Sequence, residues 1–565
     1  MIQEIFKRIR EEGERPIWIS LADENIAIAR AKSVDPALPL AGVPFAVKDN
    51  FDVAGMPTTA GCPSFSYAPS RTATVVQRLF DAGAILIGKT NMDQFATGLV
   101  GTRSPYGACS SVYDARYISG GSSSGSAIAV AKSLCTFSLG TDTAGSGRVP
   151  AAFNNLVGLK PTRGLLSTSG VVPACRSLDC VSIFAKTARD ARAIWEVARG
   201  FDCDDPYSRA LPQGAGSAPW LSGSFRFGIP SDAQLQFFGD DDAPRLYQQA
   251  AKRLESIGGI RTTIDFTVFQ EAAQLLYSGP WVAERFAAVG EFLSSARDGV
   301  NEVVKSIILG GAKYSAADTF RNMYQLETLK QKAAEQWSCM DVLLLPTTGT
   351  IYTHDAIAAD PVRLNTNLGF YTNFVNLMDL AAVAVPAGFR PNGLPFGVSL
   401  IAPAFSDEAL LSLAAQYLDE HDGERIAPGC VLLAVAGAHL TGQPLNHELT
   451  NRGARLVRTC RTSCDYRFYA LSNTKPAKPG LVREPKFNGW GIEVEVWLIP
   501  ENAFGGFVAG IPAPLGIGTI QLEDGSSVKG FICEPAALSG AEEITRFGGW
   551  RSYVGSNSLS SGRVS

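Results

Sequence analysis

Short apolar runs alternate with longer amphipathic stretches from about residue 19 to about residue 411. The spacing predicts helices in the amphipathic stretches, such as ATVVQRLFDAGA (73–84) and DDAPRLYQQAAKRLESIG (241–258). It predicts buried strands at the apolar runs AILIG (84–88), TFSLG (136–140), VLLLP (342–346) and AAVAVP (381–386). An alternation of this kind is typical of a layered α/β domain.

The character of the sequence changes after HDGERIAPGC (421–430), where strand-like segments follow one another and Asp524-Gly525 signals a hairpin. A chain of 565 residues is too long for one ordinary core, so more than one domain is expected. The prediction is a first domain over residues 1–425, a smaller β-rich α+β domain over 426–553, and a disordered tail over 554–565, which is rich in Ser and Gly.

Composition argues against several classes of partner. The net charge is −4 and no basic block occurs, so neither nucleic acid nor an anionic membrane is favoured. No apolar run approaches the roughly 18 residues of a membrane span. Charges interrupt the N-terminal apolar pattern, which argues against a signal peptide.

The cysteines and histidines bear on redox state and metals. Eleven cysteines without a CxxC pair predict reduced thiols, and therefore a cytosolic protein. The four histidines follow no metal-binding spacing, so we expect no metal and no organic cofactor.

Two loops rich in serine and glycine carry the candidate chemistry, GGSSSGSA (120–127) and GTDTAGSGRVP (140–150). Neither holds the lysine that a phosphate-binding P-loop requires. The apolar runs around the second loop are unlike a linker. Small residues at Ala144 and Gly145 would let backbone N–H groups converge just ahead of Ser146, as a nucleophilic serine needs.

A serine nucleophile needs a base, and no histidine lies within 200 residues of these loops. Lys48, in the apolar segment GVPFAVKDNFDVAG (42–55), could be held neutral by burial. The alternative is an ordinary lysine with a packed stem. Asp142 and Arg148 are interpreted as residues that orient the loop by hydrogen bonds, and Arg148 as a charge that could help to keep Lys48 neutral.

Three segments resemble the amidase signature family: VPFAVKDNFDVAGMPTT (43–59), GGSSSGSAIAVA (120–131) and GTDTAGSGRVPAAFNNLVGLKPTRG (140–164). The resemblance covers about residues 20–420 and implies a mixed sheet covered by helices. It also implies Ser146 as nucleophile, Ser122 as bridging serine after a cis Gly121–Ser122 peptide, and Lys48 as base. The oxyanion would be held by main-chain amides of Thr143, Ala144, Gly145 and Ser146.

The second loop departs from the commonest family form at Ala144 and Gly147, and in this resembles the allophanate hydrolase branch. The branch implies that Tyr277 and Arg285, in LLYSGPWVAERFAAV (275–289), hold a substrate carboxylate. Eight residues would put both on one face of a continuous helix, although Gly279-Pro280 is a point at which such a helix could break. The residues alone leave open a segment that packs Tyr277 and Trp281 and leaves Arg285 in solvent, paired with Glu284 or another acid.

The roughly 140 residues after the first domain resemble the extra C-terminal domain of that branch, whose fold is similar to γ-glutamyl cyclotransferases. His439 and His447 are the first candidates for a second active site there, against histidines in exposed turns. Glu493 and Glu495 alternate along a strand and are interpreted as a solvated face, against a catalytic carboxylate or a dimer contact.

The resemblance implies hydrolysis of allophanate to ammonia and N-carboxycarbamate, ending as ammonia and CO₂, in the use of urea or triazine nitrogen. It implies a cytosolic homodimer and a functional link to a biotin-dependent urea carboxylase, expected to be encoded separately because no carboxylase segment is found here. The alternatives are a malonamate-type hydrolase, a catalytically silent scaffold and an amidotransferase A subunit. The charge balance disfavours the tRNA enzyme, and the intact triad disfavours the scaffold.

Overall fold

The structure is a computed structural model that describes residues 1–13, 16–212, 224–295, 298–420, 430–472, 474–523 and 527–560. The chain divides into two compact units, Met1–His421 and Asp422–Ser565. The boundary predicted near residue 425 and the hairpin signal at Asp524-Gly525 lie outside the described residues.

A mixed sheet of eleven strands forms the centre of the described part of the first unit, in the order β1-β3-β2-β4-β6-β5-β10-β11-β9-β7-β8. Its strands are β1 (Trp18–Leu21), β2 (Pro44–Lys48), β3 (Ile85–Thr90), β4 (Phe137–Asp142), β5 (Val157–Lys160), β6 (Cys180–Ala185), β7 (Phe225–Pro230), β8 (Gly259–Ile264), β9 (Val342–Pro346), β10 (Leu380–Phe389) and β11 (Pro395–Pro403). The four apolar runs predicted as strands are therefore confirmed, as β3, β4, β9 and β10.

Helices surround this sheet, which confirms the predicted class of fold. They are α1 (Ile2–Glu12), α2 (Glu24–Ser33), α3 (Thr74–Asp81), α4 (Ser124–Ala131), α5 (Val149–Phe153), α6 (Ala188–Ala198), α7 (Ala243–Ser256), α8 (Thr267–Ser278), α9 (Trp281–Ser295), α10 (Glu302–Leu309), α11 (Ala316–Trp337), α12 (His354–Ala359), α13 (Arg363–Leu368), α14 (Phe374–Leu377) and α15 (Asp407–Tyr417). In the part of the chain that the structure describes, no helix has the length and apolar character needed to cross a membrane.

The pairing of β2 with β4 positions the candidate site. These strands are parallel, with Phe45 opposite Phe137 and Val47 opposite Leu139. All four side chains are fully buried, which explains why both strands read as continuous apolar runs. Because parallel strands end at the same edge of a sheet, the last residue of β2 and the loop after β4 come together.

The second unit is a smaller α+β domain, as predicted. Its described strands form a five-stranded sheet in the order β13-β16-β12-β18-β17 and a three-stranded sheet in the order β15-β14-β19. They are β12 (Cys430–Val435), β13 (Arg455–Arg461), β14 (Tyr466–Ala470), β15 (Pro479–Arg483), β16 (Glu493–Pro500), β17 (Leu515–Gln521), β18 (Ser527–Cys533) and β19 (Glu542–Glu543). The helices are α16 (His447–Thr450), α17 (Glu501–Ala509) and α18 (Trp550–Ser560).

Helix α18 corrects the prediction of a disordered tail from residue 554, because the helix continues to Ser560. Its first residue, Trp550, is buried and meets the ring of Phe468 at 6.4 Å between centroids. The Ser- and Gly-rich composition of the tail is typical of disorder. Composition alone does not show that one buried aromatic residue, Trp550, starts a helix there. Residues 561–565 of the predicted tail lie outside the described residues.

Candidate active site

Lys48 ends β2 with its side chain completely buried. Its Nζ lies 2.8 Å from Ser122 Oγ and 2.8 Å from Thr141 Oγ1. Burial lowers the pKa of Lys48 to about 7, against the opposing pull of nearby carboxylates such as Asp93. The additional positive charge that lowers this pKa is Arg285, which replaces Arg148 in that predicted role. Near neutral pH a substantial fraction of this amine is therefore neutral, and it lies within hydrogen-bond distance of a serine hydroxyl.

Ser122 lies two residues before the start of α4 and is fully buried. The Gly121–Ser122 peptide is cis, as the resemblance implies. A side chain at Gly121 would place its Cβ 2.1 Å from Asp93 Oδ2 and 2.6 Å from the Gly101 amide nitrogen. The Asp93 amide in turn donates to the Ser122 carbonyl at 3.1 Å. Asp93 therefore stabilises the loop that carries Ser122, and only glycine fits at position 121, immediately before that serine.

Asp142 organises the loop that carries Ser146. Its carboxylate accepts hydrogen bonds from the amides of Gly145 and Gly147, at 2.9 and 3.0 Å. It also accepts a bidentate pair from Arg148, with Nε at 2.9 Å and Nη2 at 3.0 Å. Burial favours a higher pKa for Asp142, but the charge and hydrogen bonds of Arg148 hold that pKa below its ordinary value. These contacts suit the orienting role predicted for Asp142 and Arg148.

We expect Asp142→Asn to lower the free energy of unfolding by about 3–5 kcal/mol, because Arg148 would stay buried without a counter-charge. Urea denaturation measures this change. Asp114→Asn is the matched control, since Asp114 pairs with Arg116 at the surface and its loss should leave stability unchanged. Equal stability of the two variants would contradict a structural role for the Asp142–Arg148 pair.

The segment before and within α14 holds the same loop from a distant part of the chain. Thr372 Oγ1 donates to the Ala144 carbonyl at 2.6 Å, and Asn376 Nδ2 donates to the Asp142 carbonyl at 2.7 Å. Arg148 Nη2 donates to the Thr372 carbonyl at 3.2 Å. Sequence reasoning missed Thr372 and Asn376, because they lie more than 220 residues from the loop and belong to no motif recognised in it.

The predicted oxyanion donors need one correction. The Gly145 amide already donates to Asp142, so it is not available to an oxyanion. Among the described residues, the amides of Thr143, Ala144 and Ser146 donate to no acceptor, and the Ser146 hydroxyl forms no hydrogen bond. Ser146 itself is only 2% exposed. Three backbone amides of the loop and the Ser146 hydroxyl are therefore without hydrogen bonds to the described residues.

Asp179 also stabilises this loop, although it is not among the site residues predicted from the sequence. It accepts a hydrogen bond from the Thr143 hydroxyl and others from the amides of Ala174 and Cys175. Burial raises the pKa of Asp179 to about 6, against the effect of these hydrogen bonds. Its carboxylate holds the Thr143 side chain. The backbone amide of Thr143 is therefore the group of this residue that remains available as a hydrogen-bond donor.

Gly147 has a structural explanation. A Cβ at this position would lie 2.4 Å from Ser182 Cβ on β6. The direction of that Cβ is toward the sheet, so the departure from the commonest family loop is a packing requirement.

Tyr277 and Arg285 lie on two successive helices, because α8 ends at Ser278 and α9 begins at Trp281. The two side chains nevertheless meet, with the Arg285 guanidinium carbon 5.7 Å from the Tyr277 ring centroid. Arg285 is 2% exposed. The alternative of an Arg285 in solvent is wrong.

The guanidinium of Arg285 is only partly satisfied. One nitrogen, Nη1, donates to Thr97 Oγ1 at 3.0 Å, whereas Nε and Nη2 are buried and have no hydrogen-bond partner in the part of the chain that the structure describes. Glu284 does not pair with it, because its carboxylate accepts from the amide and hydroxyl of Ser177. Nε and Nη2 are the same two nitrogens with which Arg148 binds Asp142, so the guanidinium of Arg285 is a candidate carboxylate receptor.

The two candidate histidines of the second unit have different surroundings. The ring of His439 stacks on Phe531 at 5.1 Å, lines a small cavity, and has Nε2 3.1 Å from a Glu448 carboxylate oxygen. Burial lowers its pKa. His447 is exposed, with Nδ1 3.0 Å from the Pro444 carbonyl. The interpretation as an exposed turn therefore suits His447 and is wrong for His439.

The interpretation of Glu493 and Glu495 as a solvated face is wrong for Glu495, which is 2% exposed. Its carboxylate accepts hydrogen bonds from the Thr441 amide at 2.8 Å and from Trp497 Nε1 at 3.1 Å. Arg551, on α18, forms ion pairs with both glutamates. Alternation along a strand predicts a shared face but not whether another element covers it.

The fold and the site define an amidase. The chain matches the Amidase family over residues 2–411 and the Allophanate hydrolase C-terminal domain over residues 431–555. It belongs to the amidase family.

Three known proteins illustrate this membership. The solved structure of SeMet-substituted Kluyveromyces lactis allophanate hydrolase is 42% identical, with a TM-score of 0.72, and the match covers 98% of this chain and 97% of that one. Urea amidolyase of Lachancea kluyveri is 46% identical over 97% of this chain and 32% of its own length. A component of the glutamyl-tRNA(Gln) amidotransferase of Prochlorococcus marinus is 34% identical over 74% of this chain and 92% of its own. The chain spans about a third of the length of the urea amidolyases that it matches.

Proposed function

We propose that this chain is an allophanate hydrolase, which cleaves the terminal amide of allophanate. The observation that carries the proposal is the pair of guanidinium nitrogens of Arg285 without a partner among the described residues, on a buried cation whose charge lowers the pKa of Lys48. A small urea-derived amide ending in a carboxylate is the class of substrate that such a pair of groups would bind. The likeness to the K. lactis allophanate hydrolase over nearly the whole of both chains supports it.

The reaction begins with attack of Ser146 Oγ on the terminal amide carbonyl of allophanate. The hydroxyl proton of Ser146 passes to Ser122, whose own proton passes to neutral Lys48 Nζ across the 2.8 Å contact. Lys48 returns the proton to the amide nitrogen, and the C–N bond breaks to release ammonia. Water then hydrolyses the acyl-serine ester by the same relay and releases N-carboxycarbamate, which breaks down to ammonia and CO₂.

The amides of Thr143, Ala144 and Ser146 hold the negative oxygen that forms on the attacked carbonyl. This assignment is supported because none of the three amides has an acceptor among the described residues. Each such donor contributes about 3 kcal/mol of transition-state stabilisation in related sites. The carbonyl of Asp142, which shares a planar peptide with the Thr143 amide, accepts a hydrogen bond from Asn376, so the Thr143 amide is oriented before substrate arrives.

One assay tests the proposed substrate: ammonia release with allophanate, malonamate, biuret and glutamine as parallel substrates. We expect the highest kcat/KM for allophanate. Malonamate, which keeps the carboxylate, should follow, whereas biuret and glutamine should be poor. Preference for glutamine would favour the amidotransferase alternative, which the P. marinus relative represents. No ammonia from any of the four would favour the silent scaffold.

We expect Arg285→Gln to lower kcat/KM for allophanate and malonamate about 100-fold, mainly through KM, because a charge-assisted bidentate contact is lost. Hydrolysis of biuret, which has no carboxylate, should change less than about threefold when each variant is measured on the plateau of its pH profile, where Lys48 is neutral with or without the charge of Arg285. Steady-state kinetics on both kinds of substrate measure the difference. An equal loss on biuret and allophanate would refute the carboxylate assignment.

Three broader proposals accompany this function. A functional link to a biotin-dependent urea carboxylase is supported by the match to urea amidolyases. A cytosolic location is supported by the free thiols of the cysteines whose side chains the structure describes. A homodimer is supported by the family resemblance of the sequence, and light scattering of the purified chain measures it.

A further inference from the structure

A cavity of about 270 Å³ lies against Tyr277, on the first unit. Its polar lining includes Arg103, Tyr277, Ser306, Lys313, Asn365 and Thr366. Among the described residues that line it, the charged side chains are the two cations, and neither Asp nor Glu contributes. Tyr277 belongs both to this cavity and to the Arg285 site, since its ring faces the Arg285 guanidinium. The cavity is thus a positively charged space next to the carboxylate receptor.

The cations near this space differ in exposure. Lys313 is exposed, whereas Arg103 is 3% exposed and Arg285 is 2% exposed. Thr97 joins the two arginines, because its carbonyl accepts from Arg103 Nη1 at 3.1 Å and its hydroxyl accepts from Arg285 Nη1 at 3.0 Å. Within the described ranges, Arg103 Nε is buried without a hydrogen-bond partner, as are two nitrogens of Arg285. Three positive charges therefore run from the surface to the receptor.

Among the described residues, Asp93 forms no ion pair with Arg103, although its negative charge acts on that guanidinium. Asp93 accepts hydrogen bonds from the amides of Gly101 and Arg103, at 3.0 and 2.8 Å, so its oxygens are engaged by the backbone. Arg103 directs its guanidinium to the carbonyls of Thr97 and Pro361 instead. Buried cations without full compensation are costly, and an anion in the cavity would lower that cost.

We propose that this cavity is the approach path of the anionic substrate, in which Lys313 attracts a small carboxylate and Arg103 receives it before Arg285 binds it. The proposal rests on the proposed function only in that the substrate is a small carboxylate-bearing amide. Cations lining a low-dielectric cleft raise the rate of encounter with anions and lose this effect as salt screens them. Neutral amides gain nothing from the same charges.

The test uses charge reversal at Lys313, with Lys252→Glu as the matched control. Lys252 is an exposed lysine on α7, away from the cavity lining, so both variants change the net charge equally. We expect Lys313→Glu to lower kcat/KM for allophanate about tenfold at low ionic strength, with kcat unchanged. The deficit should shrink as salt is added, and biuret hydrolysis should not change. An equal effect of Lys252→Glu, or an equal loss on biuret, would overturn the proposal.

A binding experiment separates this proposal from the proposed reaction. Malonate, a small dicarboxylate, serves as the probe, and stopped-flow measurement gives its association and dissociation rates with the full chain. We expect Lys313→Glu to slow association about tenfold and to leave dissociation unchanged. If allophanate is not hydrolysed but malonate still shows this pattern, the proposed function fails and the path stands. Absence of malonate binding to the unmodified protein, or an unchanged association rate, overturns the path.

Discussion

Replacement of Ser146 by alanine is expected to abolish ammonia release from allophanate, with a fall in kcat of about 10⁶-fold, as for other serine nucleophiles. The loss is large because the variant keeps Lys48 and Ser122 in contact but has no atom to form the acyl-enzyme. A coupled assay for ammonia under saturating substrate measures it. Ser122→Ala should also be severely impaired, since it removes the only hydroxyl proposed to connect Ser146 with Lys48.

The stability of Ser146→Ala provides its control. The hydroxyl of Ser146 forms no hydrogen bond among the described residues, so its removal should leave the unfolding temperature within about one degree of the unmodified protein. Retained hydrolysis in this folded variant would move the nucleophile to another residue. A variant that unfolds would instead show that the loop needs the hydroxyl for its structure.

Replacement of Lys48 by methionine is expected to lower kcat about 10³–10⁴-fold, because the proton of the attacking serine loses its acceptor. Methionine has nearly the same length and shape but cannot take a proton. Removing a buried amine also removes a desolvation cost, so the unfolding temperature at about pH 6 should not fall below that of the unmodified protein. Activity within about tenfold of the unmodified enzyme would contradict the role of Lys48 as base.

The pH dependence gives a second measurement on the same residue. Only the neutral amine can accept a proton, so log kcat/KM for the unmodified enzyme should rise with pH below about 7 and level off above it. In the window between about 7 and 10.5, Lys48 is neutral when folded and protonated when unfolded. Because the unfolded state binds more protons there, this group makes stability rise with pH. Lys48→Met should lose that rise.

The strands and the loop motifs could be predicted from the sequence because their signals are local. The run TFSLG predicts a strand and the overlapping GTDTAGSGRVP predicts the loop after it, and together they span about fifteen residues. Asp142 and Arg148 are only six residues apart, so the sequence predicts that they can form a hydrogen bond that orients the loop. Lys48 was identified because a charge inside an apolar run is costly unless burial serves a purpose.

The features that escaped prediction depend on contacts between distant segments. The engagement of the Gly145 amide by Asp142 depends on the turn that the loop adopts, which its composition does not specify. The burial of Arg285 depends on how α9 packs, whereas spacing alone allowed an exposed side chain. Glu495 is buried because Arg551 and Trp497 cover it, and a strand pattern carries no information about its cover.

The bracing of the Ser146 loop by Thr372 and Asn376 has a consequence for synthesis of the chain. The hydrogen bond from Asn376 to Asp142 spans 234 residues of sequence. At about 5–20 residues per second, a ribosome adds Asn376 roughly 10–50 s after Asp142. During that interval the nascent chain carries the serine without the brace that shapes its loop. We therefore expect hydrolysis to begin only when the first unit is nearly complete, and translation products that end before Asn376 to be inactive.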